Sequence, residues 1–143
     1  MKILLALVLI LIFICIASIH IYWALGGKKW ILSVIPTLSN SSETPLFEPR
    51  IIDTIAVAVS FLLFAWVIGM KAKLFALLWF QPIYLTYITF GITFIFLLRA
   101  IGEFKYVGFF KKVKETTFAQ MDSHIYSPLC LSIGIIVLII NFL

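Results

Sequence analysis

Charge is what this sequence has least of. Asp, Glu, Lys and Arg together make up 12% of its 143 residues, where a soluble domain carries about a quarter. Hydrophobic residues reach 64% and the mean hydropathy is +1.19. A chain this short cannot hide so much apolar surface in one water-facing core, which excludes a soluble globular protein and makes lipid the solvent. Cysteine and histidine are scarce, two of each. Cys15 and Cys130 form no CxxC motif, and helical rise alone places them at unequal depths, which argues against a disulfide. His20 and His124 with scattered carboxylates give no ligand spacing for a metal, and neither a glycine-rich phosphate loop nor a nucleophile elbow is present. No cofactor is therefore expected and no catalytic residue is assigned. The eleven Lys and Arg outnumber six Asp and Glu, but no basic stripe interleaved with stacking aromatics stands outside the apolar runs, so nucleic acid is not an expected partner.

What is present is four long apolar runs, and roughly 17 to 25 residues suffice to cross the hydrocarbon as a helix. The first covers 3–25 and ends at Gly26-Gly27 followed by Lys28-Lys29; it is too long for a signal-peptide core and lacks a small-residue cleavage site, so a retained helix is expected. The second covers 51–70, with Asp53 in its first turn, where the helix dipole favours a carboxylate. The third covers 74–100 and carries Pro82 two turns in, which predicts a kink. The fourth covers 127–143, with Ser127 reading as an N-cap and Pro128 as the first helical residue. The expected fold is all-α: a single membrane domain, a four-transmembrane-helix bundle.

The connections differ in character. A minimal turn at 70–73 makes the second and third spans antiparallel neighbours. The first connection is long; its start reads as interfacial and its Pro- and Ser-containing remainder as a nonhelical strap. Asn40-Ser41-Ser42 in that strap formally matches a glycosylation acceptor, a tripeptide common by chance. In the segment 103–115, Tyr106, Phe109, Phe110 and Val113 fall on one side of a helical wheel and Lys105, Lys112 and Glu115 on the other, the pattern of a basic amphipathic interfacial helix. Lys and Arg of the first and third connections outnumber Lys2, Lys71 and Lys73 on the other side, which predicts that loops 1 and 3 face the cytoplasm.

Polar chemistry gathers at one face whichever face that is. Apart from Lys2, Lys71 and Lys73, every Lys, Arg, Asp, Glu and His lies at or beyond the same ends of the four spans. Orientation alone would need only the cations, so the presence there of all six carboxylates and both histidines points to a shared site. Arg99 and Glu103 are spaced i, i+4. The expectation is a cluster of His20, Arg99, Glu103 and Asp122, with Tyr22, Trp23, Tyr106 and Tyr126 around it. Lys105, Lys111, Lys112 and Lys114 are expected to contact anionic lipid. Simpler readings stand beside each: Tyr22, Trp23 and Tyr126 also fit an interfacial aromatic belt, and Arg99 with Glu103 also fits a structural pair.

Ile19-His20-Ile21-Tyr22-Trp23-Ala24-Leu25-Gly26-Gly27, the stretch from Leu98-Arg99 through Lys111-Lys112-Val113, and Asp122 with Tyr126-Ser127-Pro128-Leu129-Cys130 resemble the small bacterial membrane proteins grouped as domain of unknown function 3995. The resemblance covers essentially the whole chain and implies a four-span protein of a bacterial plasma membrane, without implying an activity. Two functions are open. In one, a polar pocket at the charged face binds a lipid headgroup or small amphiphile, with Arg99 and the lysines on its anionic group. In the other, the chain is an accessory or assembly subunit that docks a protein partner, or a second copy, through the third connection. The first requires a concavity lined by His20, Arg99 and Glu103; the second allows those side chains to be mutually satisfied while Phe109 and Phe110 stay exposed.

Overall fold

A computed structural model describes residues 1–39, 42–75 and 81–143. Four helices or helical rods in it are long and apolar enough to cross a membrane. They are α1 (Lys2–Ala24), α3 (Ile51–Lys71), α4 (Pro82–Ile101) and a continuous rod from Thr117 to Phe142, made of α5 (Thr117–Met121), a π-helical turn (Asp122–Tyr126) and α6 (Ser127–Phe142). The connection between α1 and α3 carries α2 (Ile31–Val34) and an antiparallel ribbon of β1 (Thr37–Ser39) and β2 (Ser42–Pro45), which pairs Thr37 with Pro45 and Ser39 with Ser42. The nonhelical strap thus contains a short ribbon; Asn40 and Ser41 of the acceptor tripeptide lie outside the described residues.

The bundle is built from two helix pairs, α1 along α3 and α4 along α6, joined by α3 with α4 and α1 with α6. Small residues make the first pair close: Ala6 and Ala17 on α1 and Ala58 and Ala65 on α3 are buried, as expected where backbones approach without a hydrophobic drive. On α1 the buried set Ala6, Leu9, Phe13 and Ala17 recurs every three or four residues, one helical face. Phe13 is fully buried amid Phe61 and Phe64 of α3 and Phe96 of α4, with ring centroids 5.7 to 5.9 Å from its own. In the second pair, a Cβ at Gly134 of α6 would lie 2.9 Å from Leu97 Cδ2 of α4, so a larger residue there would have to displace the Leu97 side chain. Outward faces are apolar instead of polar: Leu4, Leu11, Ile52, Leu63, Phe94 and Ile135 are all exposed. Such an exterior suits a lipid surround.

Three expected boundaries change. Pro82 is the first residue of α4, not a kink within a longer helix; the residues from Leu74 to Phe75 precede it outside any helix, and 76–80 lie outside the described residues. Proline is favoured at that position because its missing N–H has no partner to lose. The fourth span begins at Thr117 instead of 127, with Thr116 Oγ1 accepting from the Ala119 N–H at 3.1 Å as the N-cap. Pro128 therefore sits inside the rod, and the π-helical turn just before it accommodates the proline: the Ser127 N–H reaches back five residues to the Asp122 carbonyl. Residues 103–115 form no helix. Gly102 (φ 84°) ends α4, and both Phe104 (φ 67°) and Gly108 (φ 90°) adopt left-handed backbone, which breaks the periodicity the wheel assumed.

If Pro82 starts α4, Pro82→Ala changes stability by less than about 1 kcal/mol, whereas relief of a mid-helix proline would raise it by about 3 kcal/mol; thermal unfolding in detergent reads the difference.

Candidate functional site: a buried carboxylate knot at one end of the bundle

Asp122 opens the π-helical turn and its side chain is completely buried. Four donors converge on it. Arg99 Nη2, from the last turn of α4, donates to Oδ1 at 2.9 Å. The Gly108 N–H, Lys111 Nζ and Ser127 Oγ donate to Oδ2 at 2.8, 2.9 and 3.1 Å. Lys111 is equally enclosed, at 2% exposure. Its ammonium spends its three protons on Asp122, on the Gly108 carbonyl at 3.1 Å and on Ser123 Oγ at 2.7 Å. A buried ion pair survives only when hydrogen bonds satisfy what the pair itself leaves over, and that condition is met here on both partners. Arg99 is different: its side chain stays 34% exposed, and its Nη1 is shielded yet has no hydrogen-bond partner.

The loop that delivers Gly108 and Lys111 is shaped by two glycines. A Cβ on Gly102 would collide with the Val107 carbonyl and Gly108 Cα, and one on Gly108 would collide with the Ile101 carbonyl and Gly102 Cα. The backbone thus closes on itself across the end of α4, and the Phe109 N–H donates to the Ala100 carbonyl at 2.9 Å. Both positions also require the left-handed φ that glycine adopts freely. Further along, the N–H groups of Lys112 and Val113 return to the Lys105 carbonyl at 3.2 and 3.0 Å. The result is a folded cap over the end of α4, pinned by Asp122.

Of the expected cluster, the structure brings Arg99 and Asp122 together and leaves the others elsewhere. Glu103 does not pair with Arg99, because Gly102 swings the chain off the helical path; its Oε1 accepts from the Tyr106 N–H at 2.8 Å instead. Tyr106 carries Lys105 Nζ over its ring at 4.9 Å. His20 faces α3, not α4: its Nδ1–H donates to the Ile16 carbonyl at 2.8 Å, and its ring packs on Trp23 and Phe61 at 5.1 and 5.9 Å. Tyr22 covers Gly27, and Trp23 Nε1 donates to the Lys29 carbonyl at 2.9 Å. Tyr126 packs on Phe118 and donates to the Ser33 carbonyl at 3.3 Å, tying the π-helical turn to the helix at Ile31–Val34. Of the four expected lipid-contacting lysines, Lys105, Lys112 and Lys114 are exposed; Lys111 is not, and serves as Asp122's buried counter-ion.

Lys111, Ser123, Ser127 and the Gly108 N–H are the members that sequence reasoning missed. One signal was available: Gly102 and Gly108 both weigh against a helix through this segment. Among the described residues no group of three His, Cys, Asp or Glu side chains is placed to hold a metal.

The family model described as "Protein of unknown function (DUF3995)" matches residues 13–137, most of the chain and all of the knot. The chain belongs to this family. No curated protein and no solved structure matches it. The family stretches quoted above thus include Arg99, Gly102, Gly108, Lys111, Asp122 and Ser127, the residues that build the knot in this member.

Removing one partner of a buried pair strands the other charge. Asp122→Asn and Lys111→Met are each expected to destabilise the protein by about 3 to 5 kcal/mol. The double variant Asp122→Asn/Lys111→Met should cost clearly less than the sum of the singles, as a denaturation cycle in detergent would measure.

Proposed function

We propose that this protein is a non-enzymatic accessory subunit of the bacterial plasma membrane that docks a membrane partner through the cap at 102–116, with loops 1 and 3 on the cytoplasmic side. One observation carries the reading: Asp122 and Lys111 are buried and satisfy each other, Arg99 turns to the same carboxylate, and the large side chains that the loop holds out are apolar. Phe104, Phe109 and Phe110 are 57%, 43% and 63% exposed, with the rings of Phe104 and Phe110 6.4 Å apart. Phe104 pays for its place with a left-handed backbone, a conformation a bulky residue keeps only when its surroundings impose it. Lys105, Lys112 and Lys114 of the same loop are exposed as well. Exposed aromatic rings on a loop that also offers free cations suit a partner that presents an apolar patch edged with carboxylates.

A headgroup pocket between His20, Arg99 and Glu103 is not supported, since these three residues turn to separate partners. The amphiphile reading keeps one observation in its favour, a shallow concavity of about 340 Å³ lined by Ser18, Ile19, Tyr22, Lys29 and Trp30. A single lysine beside an apolar wall is the chemistry of an anionic lipid contact.

Photo-crosslinking in native membranes separates the two. A benzoylphenylalanine at position 110 should yield a discrete protein adduct that a Lys112→Glu change weakens, while the same probe at Leu63 on the outer face of α3 should not. Lipid adducts alone at position 110 would refute the docking role.

A further inference from the structure

The chain carries a second exposed apolar surface besides the cap, on the segment that leads into α3. Phe47, Ile51 and Ile52 are each more than half exposed. Glu48 and Asp53 fall among them in sequence, and both are exposed. Both ion pairs among the described residues belong to Asp122, and neither Glu48 nor Asp53 is held by a hydrogen bond there. The segment is anchored at both ends, which lowers the ordering cost of any contact it makes. The Leu46 N–H donates to the Pro36 carbonyl at 2.8 Å, and the Arg50 carbonyl accepts from the N–H and the hydroxyl of Thr54, each at 3.0 Å. Charge distinguishes this patch from the cap. Residues 102–116 carry, besides the buried Lys111, three lysines against Glu103 and Glu115, while residues 46–54 carry two carboxylates against Arg50. The two surfaces are both apolar and have opposite net sign. An anionic membrane surface repels carboxylates, so lipid headgroups do not account for Glu48 and Asp53.

Their placement in the fold lets two copies exchange them. Lys71 Nζ, at the end of α3, donates to Thr86 Oγ1 near the start of α4 at 2.7 Å. Thr89 Oγ1 lies 2.6 Å from Asn141 Oδ1 near the end of α6, whose Nδ2 is shielded and has no partner. The end of α3, the start of α4 and the end of α6 therefore share one end of the bundle. The start of α3 and the end of α4 share the other, which puts the patch and the cap at the same level on neighbouring helices. Copies of one chain in one membrane have the same orientation. A second copy, turned half a rotation about the membrane normal, brings its patch level with the first copy's cap and offers its own cap to the first copy's patch. Both contacts then form at once, and the assembly closes as a dimer.

We propose that the partner docked by the cap is a second copy of this chain, with Phe104, Phe109 and Phe110 of one copy against Phe47, Ile51 and Ile52 of the other and the cap lysines facing Glu48 and Asp53. The inference rests on the docking role of the cap and supplies the surface that receives it.

The test follows association of the full-length protein in phosphatidylcholine vesicles, by energy transfer between copies labelled at the N-terminus. The parent chain should form a saturable dimer. Lys112→Glu/Lys114→Glu makes the cap acidic, and Glu48→Lys/Asp53→Lys makes the patch basic. Either variant alone sets like charges across both contacts and should dimerise at least about tenfold more weakly. Mixed together, the two variants restore opposite signs at both contacts and should pair as strongly as the parent, a recovery that a merely structural role of these charges would not give. Where a reversed variant does not fold, benzoylphenylalanine at position 110 of the otherwise unchanged chain should give a self-adduct that maps to 46–54. The proposal is overturned if the parent shows no energy transfer, if a folded reversed variant dimerises as the parent does, if the mixture stays dissociated, or if the self-adduct maps elsewhere. With a monomeric parent, an adduct between position 110 and a different protein in native membranes keeps the docking role of the cap and removes the second copy; lipid adducts alone remove both.

Discussion

A carboxylate with no access to water has to be neutralised by what the chain itself brings, and Asp122 imposes that condition on the stretch from Arg99 to Ser127. Its two oxygens collect a guanidinium from α4, an ammonium and a backbone N–H from the following loop, and a hydroxyl from α6. Each donor constrains the segment that carries it. The loop must fold tightly enough to present Gly108 and Lys111 together, which is why it turns on two glycines packed Cα to Cα. The rod must open into a π-helical turn where Asp122 stands, and the same turn accommodates Pro128. Without the carboxylate, Lys111 would be an isolated buried cation, the state that costs most.

The two ends of the bundle show opposite electrostatic solutions. At one, charge is matched and buried, leaving aromatic rings and peripheral lysines to face outward. At the other, Lys71 donates to the Thr86 hydroxyl, and no Asp or Glu falls in the sequence of the segments that meet there. Between them the packing is apolar, from the three phenylalanines around Phe13 to the Gly134–Leu97 contact between α6 and α4. A packed middle of this kind ties the two ends to the same helices.

Much of the architecture was legible in the residues. Four runs of apolar side chains, the concentration of carboxylates at one end and the proximity of Arg99 to Asp122 follow from composition and helical rise, whereas the minimal turn expected at 70–73 is replaced by a longer connection, since α3 ends at Lys71 and α4 begins at Pro82. The failures share a cause. Glu103 was paired with Arg99, and Phe109 and Phe110 with Tyr106, by extending helical periodicity through Gly102 and Gly108, where a left-handed backbone ends it. His20 shares the charged end with Arg99, but sharing an end does not say which neighbour a helix face meets. Its ring lies against Phe61 of α3. Lys111 looked like its exposed neighbours because burial of a lysine depends on a counter-ion eleven residues away.

The sequence by itself determined that the chain lives in lipid, how many times it crosses, and that its acids gather at one rim, because those properties are sums over local apolarity and chain direction. Tertiary structure decided which cations those acids meet, that Pro128 continues a helix instead of starting one, and that Asn141 is left holding an unused amide. Those outcomes depend on helix rotation and on contacts between distant segments, and no window of neighbouring residues encodes them.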